Sequence, residues 1–335
     1  MGAPSVDSAL PPVRVPCNPP QFAHTCHCPN TTETERMTLP RCVKTHLCGK
    51  QHRKNHSHDN DARAAYVIVL DYNETRVRYY YRFDPFESYA TSMRLIMRLV
   101  LSLRDVRTSL PIHLLASGTR YKAYEQRLRE YGVHIQASEY NISIPKRIIN
   151  PWHIGSFAKL HVLSMVQFSK IILLDQDLVV LRPIDHLSTI PTPAAVFKYK
   201  CFPNLELNSG LMVLRPNVSE WVRLQRMLRN NSAISVIRND RSDQLVWRHF
   251  FRRVHILPVG YNEFRSGNLT EPVGWDHSHV VHDIWKYNHL KLSSGGGSVE
   301  RRLLALNHRA AAALHDLPTV TNDHPRHHGL PFRRE

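Results

Sequence analysis

Ile171-Ile172-Leu173-Leu174-Asp175-Gln176-Asp177-Leu178-Val179-Val180 sets four aliphatic residues directly before two aspartates that are one residue apart. A short, unbroken apolar run is the pattern of a strand buried on both faces, as in the middle of a parallel sheet. Ligands of open α/β sheets sit just beyond the carboxyl ends of such strands. Asp175 and Asp177 are therefore expected at the mouth of a crevice. Two carboxylates that close need a cation between them, or one must take up a proton. In a chain this basic, they suit a metal site for a phosphorylated ligand. The competing interpretation is a surface turn, where Asp is common.

Upstream of this run, strand and helix patterns alternate. Ala65–Leu70 reads as a strand and Ser88–Arg104 as a helix, with Met93, Ile96, Val100 and Leu103 inward and Arg94 and Arg98 outward. Asp71–Glu87, between them, is charged and carries Tyr79-Tyr80-Tyr81, a pattern for a hairpin or surface insertion. Ile112–Ala116 is the next strand, Tyr121–Tyr131 a charged helix, His134–Ile135 a short strand and Ser156–Phe168 a helix that leads into the aspartate strand. That alternation is the α/β pattern. Beyond Asp177 the texture changes. Short strands are expected at Ala194–Phe197, Gly210–Leu214, His255–Pro258 and Val280–His282, with helices at Trp221–Leu228 and Asp243–Phe251. The mixture suggests an antiparallel extension of the parallel sheet. The expected organisation is a Cys/Pro/His-rich stem or stapled segment over 1–62 and a folded domain over 63–292. A Gly/Ser linker, a short helix over Val299–Leu314 and a basic tail make up 293–335.

The 335 residues carry a formal net charge of +16, which favours anionic partners such as phosphates, acidic glycans or membrane headgroups. No helix-turn-helix, zinc-finger or RNA-recognition signature accompanies that charge, so nucleic acid is not an expected partner. No stretch reaches the eighteen or so apolar residues of a membrane span, and the first residues have no apolar signal core. A membrane link is expected only through an anchor upstream of this chain. Sequons at Asn30, Asn55, Asn73, Asn141, Asn217, Asn230 and Asn268 suggest glycosylation in a secretory lumen. Cys17, Cys26, Cys28, Cys42 and Cys48 crowd the first fifty residues and only Cys201 lies beyond. Disulfides in an oxidising compartment fit that density. Zinc is the alternative, because His24, His27, His46 and His52 are interleaved. These features make the secretory pathway, in the Golgi lumen, the expected location, with the cytoplasm as the alternative.

Four segments of the second half carry chemistry: Asp175-Gln176-Asp177, Leu207-Asn208-Ser209-Gly210, Asp240-Arg241-Ser242-Asp243-Gln244 and Val280-Val281-His282. Two carboxylates and an imidazole suit a divalent transition metal such as Mn2+, with its remaining positions left to diphosphate oxygens. Asn208 offers an amide to hydroxyls beside a glycine that admits a ligand to the backbone. Asp243 opens a helix, where the dipole favours a carboxylate. It would serve equally well as an N-cap, and His282 as a core histidine.

In this order, the segments resemble glycosyltransferase family 8, the glycogenin-like retaining enzymes. The resemblance runs over roughly 65–288. It is densest from Phe157-Ala158-Lys159-Leu160-His161, through Gln167-Phe168-Ser169-Lys170 and the aspartates, to Arg182-Pro183-Ile184-Asp185. It implies a GT-A fold: a Rossmann-like, mostly parallel sheet with an antiparallel extension. It implies a UDP-sugar donor, a glycan, lipid or protein acceptor, and Mn2+ held by Asp175, Asp177 and His282. Tyr89 resembles the family's tyrosine that packs on uracil, and Lys159 the lysine that reaches the donor sugar and phosphates. Gln176, Asn208, Ser209, Asp240 and Gln244 match positions around the donor. Asp243 matches the candidate catalytic carboxylate, which would stabilise a cationic sugar or form a short-lived adduct. A homodimer is compatible with the family.

The chain departs from the pattern after its last metal ligand. Glycogenin-like enzymes have a His-x-x-Gly-x-x-Lys-Pro-Trp run there, whereas His282 is followed by Asp283, Ile284, Trp285, Lys286, Tyr287 and Asn288. Lys286 is the candidate to supply the missing charge to the diphosphate. The sequons and cysteines favour a lumenal enzyme closer to the glucuronosyltransferase branch than to self-glucosylating glycogenin. The excess positive charge would suit an acidic donor or acceptor. The rival function is a catalytically degenerate GT-A protein that binds a glycan or a partner.

Overall fold

The computed structural model describes residues 24–25, 36–37, 63–70, 89–116, 121–137, 155–199, 205–230, 242–264, 278–282 and 298–317. Asp240, Lys286, all six cysteines and the sequons other than Asn217 and Asn230 lie outside the described residues. Two short strands, β1 (His24–Thr25) and β2 (Arg36–Met37), pair antiparallel within the N-terminal segment.

The apolar runs form the centre of a seven-stranded sheet. In chain order its strands are β3 (Ala64–Val69), β4 (Ile112–Ala116), β5 (Val133–Ala137), β6 (Lys170–Asp175), β8 (Ala194–Tyr199), β9 (Leu205–Leu214) and β10 (His255–Leu257). In space the order is β10-β8-β9-β6-β3-β4-β5. β3 pairs parallel with both β4 and β6, β4 with β5, and β10 with β8; β9 alone runs against its neighbours. This is the expected mostly parallel α/β sheet with an antiparallel extension. A second, three-stranded sheet, β11-β12-β7, is built from β7 (Leu178–Val180), β11 (Glu263–Phe264) and β12 (Val280–His282).

Strand periodicity splits the core into two layers. Tyr66, Ile68, Ile172 and Leu174 face one layer, with helices α1 (Tyr89–Asp105), α2 (Lys122–Glu130) and α5 (Ser298–Ala313). Val67, Val69, Ile171 and Leu173 face the other. There they meet a 3-10 helix over Ser156–Ser164 and helices α3 (Val218–Arg229) and α4 (Asp243–Phe250). Asn217 caps α3, its side-chain oxygen accepting from the amides of Ser219 and Glu220. Asp185 ties the parallel half together: its carboxylate accepts from Tyr66 Oη at 2.6 Å, Thr108 Oγ1 at 2.5 Å, and the amide and hydroxyl of Ser109.

Three expectations are corrected. The segment expected as a helix over Ser156–Phe168 is a 3-10 helix that ends at Ser164, since nine residues of apolar pattern do not separate a period of 3.0 from 3.6. β9 starts at Leu205, five residues before the expected strand, and so includes polar Asn208 and Ser209. Arg98, expected to face solvent, is 1% exposed inside the α1 layer.

Candidate active site

The sheet register assembles the site. β6 ends at Asp175 beside Val69 at the end of β3. On its other edge Leu174 pairs with Leu211, so the next step brings Asp175 alongside Gly210 and Ser209 of β9. The chain turns at Gln176-Asp177 and enters β7, whose Leu178 pairs with His282 of β12. Asp175, Asp177 and His282, which span 107 positions of sequence, thus offer ligand atoms that all lie within 4.8 Å of one another.

His282 is oriented by a chain of amides. Asn208 Oδ1 accepts from the Gly210 amide at 2.8 Å and from Asn262 Nδ2 at 2.5 Å. That commits Asn262 Oδ1 to acceptance, and it lies 2.9 Å from His282 Nδ1. His282 Nδ1 must therefore be the donor. This leaves Nε2 facing the aspartates, 3.1 Å from Asp177 Oδ1. A metal-binding imidazole normally donates its second ring N–H to such an oxygen. Asn208 Nδ2 extends the chain to Gln244 Oε1 at 3.4 Å. Gly210 is required here, because a Cβ would lie 2.8 Å from Asn208 Oδ1, 2.8 Å from His282 Cε1 and 2.9 Å from Asn262 Nδ2.

The opposite flank is ionic. Lys159, 4% exposed on the 3-10 helix, lies 2.6 Å from Asp175 Oδ1 and 3.6 Å from Asp243 Oδ2, and donates to Ser209 Oγ at 3.2 Å. Asp243 is the first residue of α4, while Ser242 occupies the N-cap. The carboxylate is thus not the helix cap, and its buried Oδ2 has no hydrogen-bond partner among the described residues. Burial pushes the Asp175 carboxyl up to about 6, against the pull of Lys159. Burial also acts to raise Asp177, but the imidazole of His282 outweighs it and holds that carboxyl below its ordinary value. Burial acts to lower His282, and Asp177 reverses the sign, so the imidazole is raised.

This chemistry fits a divalent cation. Two carboxylates and one imidazole nitrogen converge within 4.8 Å, and Asn262 holds the other ring nitrogen so that Nε2 lies on the aspartate side.

Of the other expected residues, Gln176 donates to Ser92 Oγ of α1 at 3.4 Å. Tyr89, at the start of α1, is buried with its ring 5.8 Å from that of Tyr124. Asn262 is the member of the site that sequence reasoning does not find. Its signal is weak: a buried amide after Tyr261, at the end of a 3-10 turn over Val259–Tyr261.

The chain is similar in sequence to glycogenins. Glycogenin-1 of Caenorhabditis elegans is 30% identical over 174 residues, which cover 49% of this chain and 39% of that protein. An uncharacterised protein, R707, of Acanthamoeba polyphaga mimivirus is 29% identical over 182 residues, covering 48% of this chain and 64% of that one. The chain thus spans less than two thirds of each of these relatives. Among solved structures, the glycosyltransferase GlyE of Streptococcus pneumoniae TIGR4 aligns with 75% of this chain and 63% of its own, at 17% identity and a TM-score of 0.49. No protein-family model matches.

Proposed function

We propose that this chain is a metal-dependent, retaining hexosyltransferase of the glycogenin-like GT-A class, moving a sugar from UDP to a glycan, lipid or protein acceptor. One observation carries it: Asp175, Asp177 and His282 converge within 4.8 Å, with Asn262 Oδ1 against His282 Nδ1 and Nε2 turned towards the aspartates. The sequence likeness to glycogenins supports the same conclusion.

A cation held by Asp175, Asp177 and His282, with Mn2+ the proposed ion, supplies a Lewis acid and counter-charge for a diphosphate leaving group. The protein's own groups do the rest. Lys159 sets its cation beside Asp175 and Asp243, and with Asp175 engaged by a metal it would be available to the diphosphate. Asn208, Ser209 and Gln244 present amides and a hydroxyl on the Asp243 side, where sugar hydroxyls bind. Asp240 and Lys286 are assigned to the donor by their place in the sequence. Tyr89, at the start of α1, and Gln176, against Ser92 of the same helix, are assigned to the nucleoside end.

Asp243 is the group that faces developing positive charge on the sugar. Its buried Oδ2 lies 3.6 Å from Lys159 Nζ, which sets this carboxylate beside the Asp175 flank of the site. Asp243→Ala is expected to abolish transfer while UDP binding persists; normal turnover in that variant removes the role. We also propose a lumenal, Golgi-type location and an acidic donor or acceptor, on the strength of the sequons and the +16 charge.

The test is UDP release from a panel of UDP-sugars, with and without Mn2+. Release with one sugar, dependent on Mn2+, is the expected result and names the donor. Binding of UDP without turnover of any sugar, across a range of acceptors, would instead identify a catalytically degenerate binding protein.

A further inference from the structure

Arg98 sits in the middle of α1 and is 1% exposed, yet none of the site chemistry above uses it. A buried guanidinium is costly unless its donors are satisfied. Its Nη2 donates to the backbone carbonyl of Asp177 at 3.3 Å, and its Nη1 to Asn307 Oδ1 of α5 at 3.1 Å. It therefore joins α5 to the backbone of Asp177, Asn307 lying 209 positions beyond Arg98 in the sequence.

The neighbouring contacts follow the same plan. One turn along α1, Ser102 Oγ accepts from the Val180 amide at 3.0 Å. From α5, Arg302 donates to the Leu181 carbonyl at 2.8 Å. The segment from Asp177 to Leu181 is thus gripped at four backbone atoms by α1 and α5, while β7 pairs with β12 and His282. A fork-shaped, planar donor is suited to holding two acceptors at once in a way that a lysine is not.

We propose that Arg98, buttressed by Asn307, is a positioning residue that fixes the Asp177 backbone for cation binding, so that docking of α5 is part of building the metal site. The inference rests on the metal assignment above. Without this anchor, the turn after β6 relaxes and the Asp177 carboxylate loses its fixed distance to Asp175 and His282.

The test measures Mn2+ affinity of the full chain by the EPR signal of free Mn2+, alongside the thermal midpoint, in four variants. Arg98→Lys and Asn307→Ala are expected to weaken Mn2+ binding about tenfold or more, the range for groups that orient metal ligands. Asn307→Asp, which still accepts from Arg98, is expected to retain wild-type affinity. Arg309→Ala is the control. Arg309 pairs with Asp105 at 2.7 Å and so also joins α5 to α1, but on the surface and away from Asp177. It should leave Mn2+ affinity within about twofold. Unchanged Mn2+ affinity in Arg98→Lys and Asn307→Ala overturns the inference. So does equal weakening in Arg309→Ala, since the effect would then come from helix docking in general. Absence of Mn2+ binding by the wild-type chain is a different failure: it removes the metal site itself.

Discussion

The two flanks of the proposed metal cradle are built from opposite materials. Around Asp175 the supports are charges: Lys159, Asp175 and Asp243 form a buried ionic cluster. Around His282 they are neutral amides, running from Gly210 and Asn208 through Asn262 to the imidazole. An ionic cluster reorganises when another cation arrives. An uncharged amide chain whose members already hold one another does not. If the proposed metal binds, the contrast predicts that His282 would be a fixed ligand and that Asp175 would exchange Lys159 for the ion.

The sharpest way to break that contrast is Lys159→Met. It leaves Asp175 and Asp243 buried without their cation, which costs about 3–5 kcal/mol when one partner of a buried pair is lost. Because Mn2+ would replace the missing charge, the thermal midpoint of this variant should recover with Mn2+ more than that of wild type. Equal recovery in both would place Lys159 outside the exchange. On the neutral flank, Gly210→Ala drives a methyl into Asn208, Asn262 and His282 at once, and overpacking of this kind costs about 1–3 kcal/mol. Here Mn2+ should not rescue stability, because the ligand itself is displaced. Asn262→Ala frees the imidazole to rotate, and Mn2+ affinity should fall about tenfold or more, alongside a loss of about 1–3 kcal/mol from the unpaired buried groups. An unchanged affinity would show that His282 does not need its amide partner.

The smallest effect is a pH response away from both flanks. Burial lowers His113, on β4, to about 4, with the adjacent His134 adding to the shift. Its unfolded value is near 6.5, so the unfolded chain binds the proton first as pH falls. Stability contributed by the neutral ring is present above about 6.5 and is lost as pH drops towards 4. Denaturant melts at intervals over that range should show a decline that His113→Gln reduces.

How much of this is legible in the sequence depends on whether the signal is local. The run Ile171–Leu174 declares a buried strand by itself, and the order of residues alone puts the two aspartates at its end. His282 is legible only through its company in the chain, because an isolated histidine after two valines is equally a core residue. Asn262 leaves no periodic or motif trace, since its role comes from hydrogen bonds to two strands that are distant in sequence. Arg98 reads as exposed for a physical reason: arginine normally is, and acceptors such as the Asp177 carbonyl and Asn307 make its burial tolerable. The 3-10 helix that carries Lys159 reads as a longer helix because its apolar pattern is too short to fix the period.

The most direct measurement of the central claim is calorimetric titration of UDP into the protein with Mn2+ and with a chelator. The proposed site predicts tight UDP binding with Mn2+ that collapses in chelator, and no Mn2+ enhancement in Asp177→Ala or His282→Ala. UDP affinity that is indifferent to Mn2+ in the wild-type chain would contradict it.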